Sequence, residues 1–215
     1  MIEPPDLVRR KDALLQAMLP DVAFDGWSLT ALRAGGKTLG LPEGEILQLF
    51  PEGPGEAALW LDDWADRRML AALEGMEPGA MKTRERVAAA VMARLAALAP
   101  HREAVRRAMA SKATPFGAMQ AARILYRTVD AIWYAAGDAS TDFNFYTKRA
   151  LLAAVYGPTI LYWLNDRSEA AADTREFLVR RLEEVLKLPG FGRRIRKAAE
   201  RAAAPLNFFR PAARH

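Results

Sequence analysis

Apolar residues along this chain recur three and four apart and almost never alternate. That is the spacing of one buried stripe on an α-helix, not of a half-buried strand. The pattern predicts an all-α protein. A first helix covers residues 6–19, with Leu7, Leu14, Leu15 and Met18 on one face, and Pro20 is expected to stop it. Ser28 offers a side-chain N-cap to a second helix that runs to Thr38. Leu39-Gly40-Leu41-Pro42 reads as a tight turn, and a short third helix spans residues 43–50, closed by Pro51-Glu52-Gly53-Pro54-Gly55. Longer helices follow at 56–73, with Trp60 and Trp64, and at 81–98, with Val87, Val91, Leu95 and Leu98 inward. Further helices are expected at 101–111, 115–136, 140–156 and 169–188. Gly157-Pro158 is expected to break or kink the helix of residues 140–156, whose continuation holds Leu161 to Leu164. Pro189-Gly190 separates a last helix at 191–204 from the tail. The punctuation divides the chain into an N-terminal module (1–52), a helical body (53–188) and a C-terminal helix with its tail (189–215). No repeats are visible.

Composition narrows the chemistry. The chain has 215 residues, 51% hydrophobic and 27% charged, enough to bury a real core in one domain or a domain plus a small unit. It has no cysteine, which excludes disulfides, thiolate catalysis and cysteine zinc sites. Its two histidines are His101 and the terminal His215, so a histidine-rich metal site is not available. No cofactor is expected. A net charge of +5 and a pI near 9.7 suit an anionic partner, nucleic acid or an acidic membrane surface. The N-terminus shows neither a signal-peptide core nor transit-peptide character, and no apolar run reaches the ~20 residues of a membrane span. The expected place is the cytoplasm or a membrane face.

Residues 24–51 have the layout of a helix-turn-helix. Gly26, Ser28, Gly40 and Phe50 fill the positions that make this stretch resemble the N-terminal domain of TetR-type regulators. The helix that would enter the DNA groove reads Glu43-Gly44-Glu45-Ile46-Leu47-Gln48-Leu49. It has two acids and no base, where a DNA reader needs Arg, Lys, Asn or Gln at the bases and cations at the phosphates. Pro51-Glu52-Gly53 stands where a lysine usually follows the Phe. No nucleic-acid partner is expected, and the module reads as a retained folding unit.

The densest chemistry lies in residues 130–149: Asp130-Ala131-Ile132-Trp133-Tyr134, a Gly137-Asp138 turn, then Ser140-Thr141-Asp142-Phe143-Asn144-Phe145-Tyr146-Thr147-Lys148-Arg149. Asp138 and Ser140 can cap a helix that begins near Thr141, Asp142 suits its positive end, and Gly137 permits the turn before it. Trp133 and Tyr134 point about 100° apart on a helix, so both cannot enter one core layer. One of them is expected at the surface, where an aromatic beside carboxylates suits a protein-binding hot spot. Asp138, Asp142, Tyr146 and Lys148 offer acid/base groups but no histidine partner, so no catalytic residue is assigned.

These runs resemble the COQ-nine family of ubiquinone (coenzyme Q) biosynthesis accessory proteins. Val22-Ala23-Phe24-Asp25-Gly26-Trp27, Met81-Lys82-Thr83-Arg84-Glu85-Arg86, Trp163-Leu164-Asn165-Asp166 and Phe177-Leu178-Val179-Arg180-Arg181-Leu182 extend the resemblance over nearly the whole chain. The resemblance implies a TetR-like fold and a non-catalytic protein. Such a protein binds isoprenoid quinone intermediates or phospholipid and serves the membrane-bound di-iron demethoxyubiquinone hydroxylase. It implies a partner-binding patch at Asp130, Trp133 and Tyr134. Eukaryotic members carry a mitochondrial targeting segment. This sequence, starting almost at its first helix, is similar to a bacterial homologue working at the inner face of the cytoplasmic membrane.

Leu125, Val129, Ile132, Leu151, Val155, Leu161 and Trp163 are the candidate lining of a lipid pocket, although the same residues can fill a packed core. The resemblance favours a pocket for the group. In the C-terminal helix Phe191, Ile195, Ala198, Ala202 and Leu206 form an apolar stripe among Arg193, Arg194, Arg196, Lys197 and Arg201, followed by Phe208 and Phe209. A cationic amphipathic helix of this kind lies on an anionic membrane; the alternative is a helix docked on the body. The second functional reading is a TetR-type transcriptional regulator that senses a hydrophobic ligand. TetR-like folds often pair through their last two body helices, so a homodimer is open to this chain.

Overall fold

The computed structural model describes residues 3–74, 81–111, 115–137 and 143–187, and among these the chain is helical throughout, with no strand. Among the described residues nine α-helices follow one another: α1 (Pro5–Asp25), α2 (Leu29–Thr38), α3 (Glu43–Leu49), α4 (Pro54–Leu73), α5 (Thr83–Leu98), α6 (Arg102–Ser111), α7 (Pro115–Ala135), α8 (Phe143–Trp163) and α9 (Ala172–Lys187). Short 3-10 turns, Ala99–His101 and Glu169–Ala171, lead into α6 and α9.

Two helices are longer than their prolines predict. α1 passes through Pro20 to Asp25, and α8 passes through Pro158 to Trp163. The amides these prolines lack would have met the carbonyls of Gln16 and Ala154. Both prolines lie on the exposed side of their helix, where water can serve the freed carbonyl. The opposite side stays anchored by buried Met18, Leu19 and Val22 in α1 and by Val155, Tyr156 and Ile160 in α8. Packing therefore outweighs the local breaker.

The first three helices close tightly because α2 carries two adjacent glycines. A Cβ on Gly35 would stand 2.8 Å from the Met18 backbone nitrogen of α1, and one on Gly36 would stand 2.1 Å from the Ile46 side chain of α3. Ser28 caps α2 as its sequence predicts, accepting from the Ala31 amide at 3.2 Å. Phe50 is fully buried beyond α3.

Helices α4 to α9 form the body. Its centre contains a buried arginine. Arg94 of α5 donates through Nε to Asp66 of α4 (2.7 Å), through Nη1 to the Tyr156 hydroxyl of α8 (2.5 Å) and through Nη2 to Asp62 (3.0 Å). Thr128 of α7 donates to the same Asp66 carboxylate at 3.1 Å. Four helices thus share one charge-compensated cluster. Burial pushes the Asp66 carboxyl and the Tyr156 phenol up, the latter to about 12, against the pull of Arg94.

α6 joins this body to the N-terminal helices. Its Arg106 donates to the Leu164 carbonyl at 2.6 Å and its Arg102 to the Asp166 carbonyl, both just past the end of α8. Its Arg107 donates to Ala23 near the end of α1 at 3.0 Å. The Ala23 and Leu164 carbonyls lie at helix ends, where acceptors lack an intrahelical partner, so the arginines complete them while fixing the helices in place.

Candidate functional site: a cavity beneath the Trp133–Tyr134 pair

The end of α7 turns its two neighbouring aromatics in different directions, as the helical spacing requires. Tyr134 is 76% exposed. Trp133 is half-buried and packs against the core, its Nε1 donating to the Lys148 carbonyl of α8 at 3.1 Å. The Lys148 ammonium stands 5.5 Å from the centre of the indole. One turn earlier Asp130 receives the buried Arg149 guanidinium, Nε to Oδ1 at 2.6 Å. The predicted patch is therefore one exposed phenol beside an indole and a carboxylate that are both held by α8.

The end of α7 is also held from α5. Arg86 donates through Nε to the Ala136 carbonyl (2.7 Å) and through Nη1 to the Met81 carbonyl (3.1 Å). Gly137 follows with φ +75°, the left-handed conformation in which a side chain is disfavoured. The capping roles expected of Asp138, Ser140 and Asp142 fall outside the described residues.

Beneath Trp133 lies a cavity of about 320 Å³ enclosed by α5, α7, α8 and α9. Val87, Leu151, Leu152, Val155, Leu182 and Val185 give it an apolar wall. Lys148 and Arg84 supply its cations, and Arg84 is paired with Glu183 of α9 at 3.0 Å. The volume suits a small ligand or part of a larger one.

The seven candidate pocket residues do not gather in one place. Leu151 and Val155 line this cavity. Val129 and Ile132 are fully buried core residues, and Leu125 packs against that core. Leu161 is 54% exposed on the outer surface. Trp163 is buried and borders a second cavity of about 720 Å³ on another side of the body. The contributions of α5 and α9 were not singled out from the sequence. Leu178, Leu182 and Val185 do repeat at intervals of four and three, a pattern that marks the inward face of α9.

The N-terminal module carries its two groove-side acids in ion pairs. Glu43 accepts from Arg33 of α2 (Nη2 to Oε1, 2.6 Å), and Glu45 pairs with Arg10 of α1. Two of the module's own cations are therefore committed to carboxylates. Among the described residues no helix is long and apolar enough to cross a membrane, and no three His, Asp or Glu side chains gather as for a metal ion. The candidate membrane residues from Phe191 to Phe209 lie outside the described residues. Their composition still locates the charge. Residues 191–215 hold seven Lys and Arg against one acid, whereas residues 1–190 hold 24 against 25.

Residues 118–189, which include most of α7 and all of α8 and α9, match the family described as COQ9. The chain is 30% identical over 194 residues to the human mitochondrial ubiquinone biosynthesis protein COQ9, covering 87% of this chain and 61% of that protein. It is 32% identical over 187 residues to the Drosophila melanogaster protein of the same description, covering 85% and 56%. The chain thus spans about three fifths of the length of these curated relatives. Among solved structures, a TetR transcriptional regulator from Nitrosomonas europaea superposes with a TM-score of 0.69 at 27% identity, covering 84% of this chain and 99% of that one. A TetR regulator from a Rhodococcus species shares the fold, with a TM-score of 0.61 at 15% identity over 87% of this chain and 100% of that one. The chain is a homologue of the COQ9 proteins with a TetR-like fold.

Proposed function

We propose that this chain is a non-catalytic lipid-binding protein of ubiquinone biosynthesis. In this reading it holds a prenylated, ring-bearing quinone precursor in the cavity beneath Trp133 and presents it to the di-iron demethoxyubiquinone hydroxylase through Asp130, Trp133 and Tyr134. The observation that carries the reading is the shared use of Trp133. The same side chain walls an apolar cavity and adjoins the exposed Tyr134, so ligand and partner would meet across one residue. The similarity to COQ9 proteins supplies the pathway. The basic segment 191–215 would bring the chain to an anionic lipid surface, which agrees with the separation of charge along the sequence.

Mass spectrometry of lipid extracted from the purified protein tests the central claim. A prenylated quinone precursor is expected, and a protein that neither carries nor takes up such a lipid overturns it. Docking is tested with Tyr134→Ala, which removes an exposed side chain and leaves the cavity intact. Hydroxylase capture that is unchanged in this variant removes Tyr134 from the interface. Flotation with phosphatidylglycerol vesicles tests the last part, since replacing Arg193, Arg194, Arg196 and Lys197 by Glu should abolish binding.

A second reading, a TetR-type regulator, draws on the likeness to the Nitrosomonas europaea regulator over nearly all of that chain. The pairing of Glu43 with Arg33 and of Glu45 with Arg10 weighs against it. Sequence-specific, salt-dependent binding to DNA upstream of its own gene would favour this reading over the first.

A further inference from the structure

α5 has a second face. At 100° per residue Ala89 lies about 200° from Val87, so the alanine side of the helix looks away from the cavity beneath Trp133. Along that side runs the larger cavity, about 720 Å³, with Ala89, Met92, Ala93 and Ala96 as its floor and Trp163 on its wall. Its cations are distinct from those of the smaller cavity. Arg102 lies with its guanidinium 4.6 Å from the centre of the Trp163 ring, and among the described residues its one hydrogen bond goes to the Asp166 carbonyl. A guanidinium has five N–H donors, so Arg102 keeps donors to spare. Arg175 borders the same cavity, is exposed, and has no hydrogen bond or ion pair among the described residues.

Part of the cavity's lining is strained. Ala170 and Ala171 both border the cavity and both take positive φ, +50° and +56°, a conformation unfavourable to any residue with a side chain. Such outliers gather where a fold shapes a binding site. A long apolar floor, an aromatic wall and two available guanidinium groups in the lining fit one class of ligand.

We propose that this groove is a second binding site, for a single-chain amphiphile with a carboxylate or phosphate head. The chain lies along the alanine face of α5 and the head meets Arg102 and Arg175. The site does not depend on the quinone reading, because α5 separates it from the cavity beneath Trp133.

Quenching of intrinsic tryptophan fluorescence in the full-length protein tests this. Two probes separate the sources of the head group: monomeric 9,10-dibromostearate, and brominated phosphatidylglycerol in vesicles. Each is titrated into Trp133→Phe, where of the four remaining tryptophans Trp163 alone lines the groove, and the quenching assigned to the groove is the part that Trp163→Phe removes. Saturable quenching is expected. Arg175→Glu and Ala96→Phe, both at exposed positions, should each weaken it by about tenfold, equivalent to ~1.4 kcal/mol. Quenching by the stearate alone assigns a free acid, and quenching by the vesicles alone assigns a phospholipid head. The proposal is overturned if neither probe quenches Trp133→Phe. It is also overturned if Arg175→Glu and Ala96→Phe bind as tightly as the parent. Quenching seen in the parent but lost in Trp133→Phe puts the ligand in the smaller cavity, which overturns the groove site and leaves the first reading standing.

Discussion

Arg94 and Asp66 meet at 2.7 Å in the middle of the body, the arginine 1% and the aspartate 6% exposed. Neither charge is tolerable there alone, because desolvating an unpaired ion costs several kcal/mol. Arg94→Met should therefore destabilise the protein by roughly 3–5 kcal/mol in urea unfolding, mainly by stranding Asp66. Adding Asp66→Leu to that variant should recover part of the loss. If the double variant is no more stable than the single one, the stranded carboxylate is not the cause.

The glycines of α2 and α3 give opposite expectations. Gly35→Ala drives a Cβ into the backbone of α1 and should cost about 1–3 kcal/mol, the usual range for overpacking. Gly44 lies in α3 with open space around its position. Gly44→Ala should stabilise by up to ~1 kcal/mol, the helix-propensity difference. Thermal denaturation of the two variants side by side checks the sign as well as the size.

Asp166 turns the chain from α8 into α9. Burial would raise its pKa. The Ser168 and Thr174 hydroxyls and amides outweigh burial by donating to it at 2.5–2.9 Å, and hold it down at about 2 against an ordinary 3.8. The folded value lies below the unfolded one, so the stabilising contribution is complete above pH ~4 and is lost as pH falls through about 2. Acid titration of stability should show this loss in the parent and not in Asp166→Asn. The variant should also be less stable at neutral pH by about 1–2 kcal/mol, the worth of a helix cap.

Proline in a helix interior costs up to ~3 kcal/mol relative to alanine. Pro20→Ala and Pro158→Ala should each raise the unfolding midpoint, since both helices already continue through these positions. A lower midpoint would mean that the proline ring itself contributes packing that alanine loses.

The same prolines mark where the sequence was hard to read. A local rule stops a helix at Pro20, but the outcome depends on which side of the helix the proline occupies and on residues packed behind it. The Ser28 cap, the turn at Gly40 and the divergence of Trp133 from Tyr134 are legible because each follows from neighbours within one helical turn. Arg94 is the opposite case. In an alanine-rich helix it reads as an ordinary surface charge, and its partners stand 28 and 62 positions away. The lining of the cavities is hidden for the same reason, because four helices contribute to the smaller one and five to the larger. The positive net charge was legible as a total, but its segregation into the last 25 residues changes its meaning for the helix-turn-helix-like module.

Because α5 presents Val87 to one cavity, the Ala89–Ala93–Ala96 row to another and Arg94 to neither, its length is constrained more severely than its composition. Swapping one small or aliphatic residue for another leaves every side in place. Inserting or deleting a single residue before Arg94 would rotate everything after it by about 100°, swinging the guanidinium out of its cluster and the alanine row off the groove. Homologues of this chain should therefore vary in the letters of this helix and not in their number.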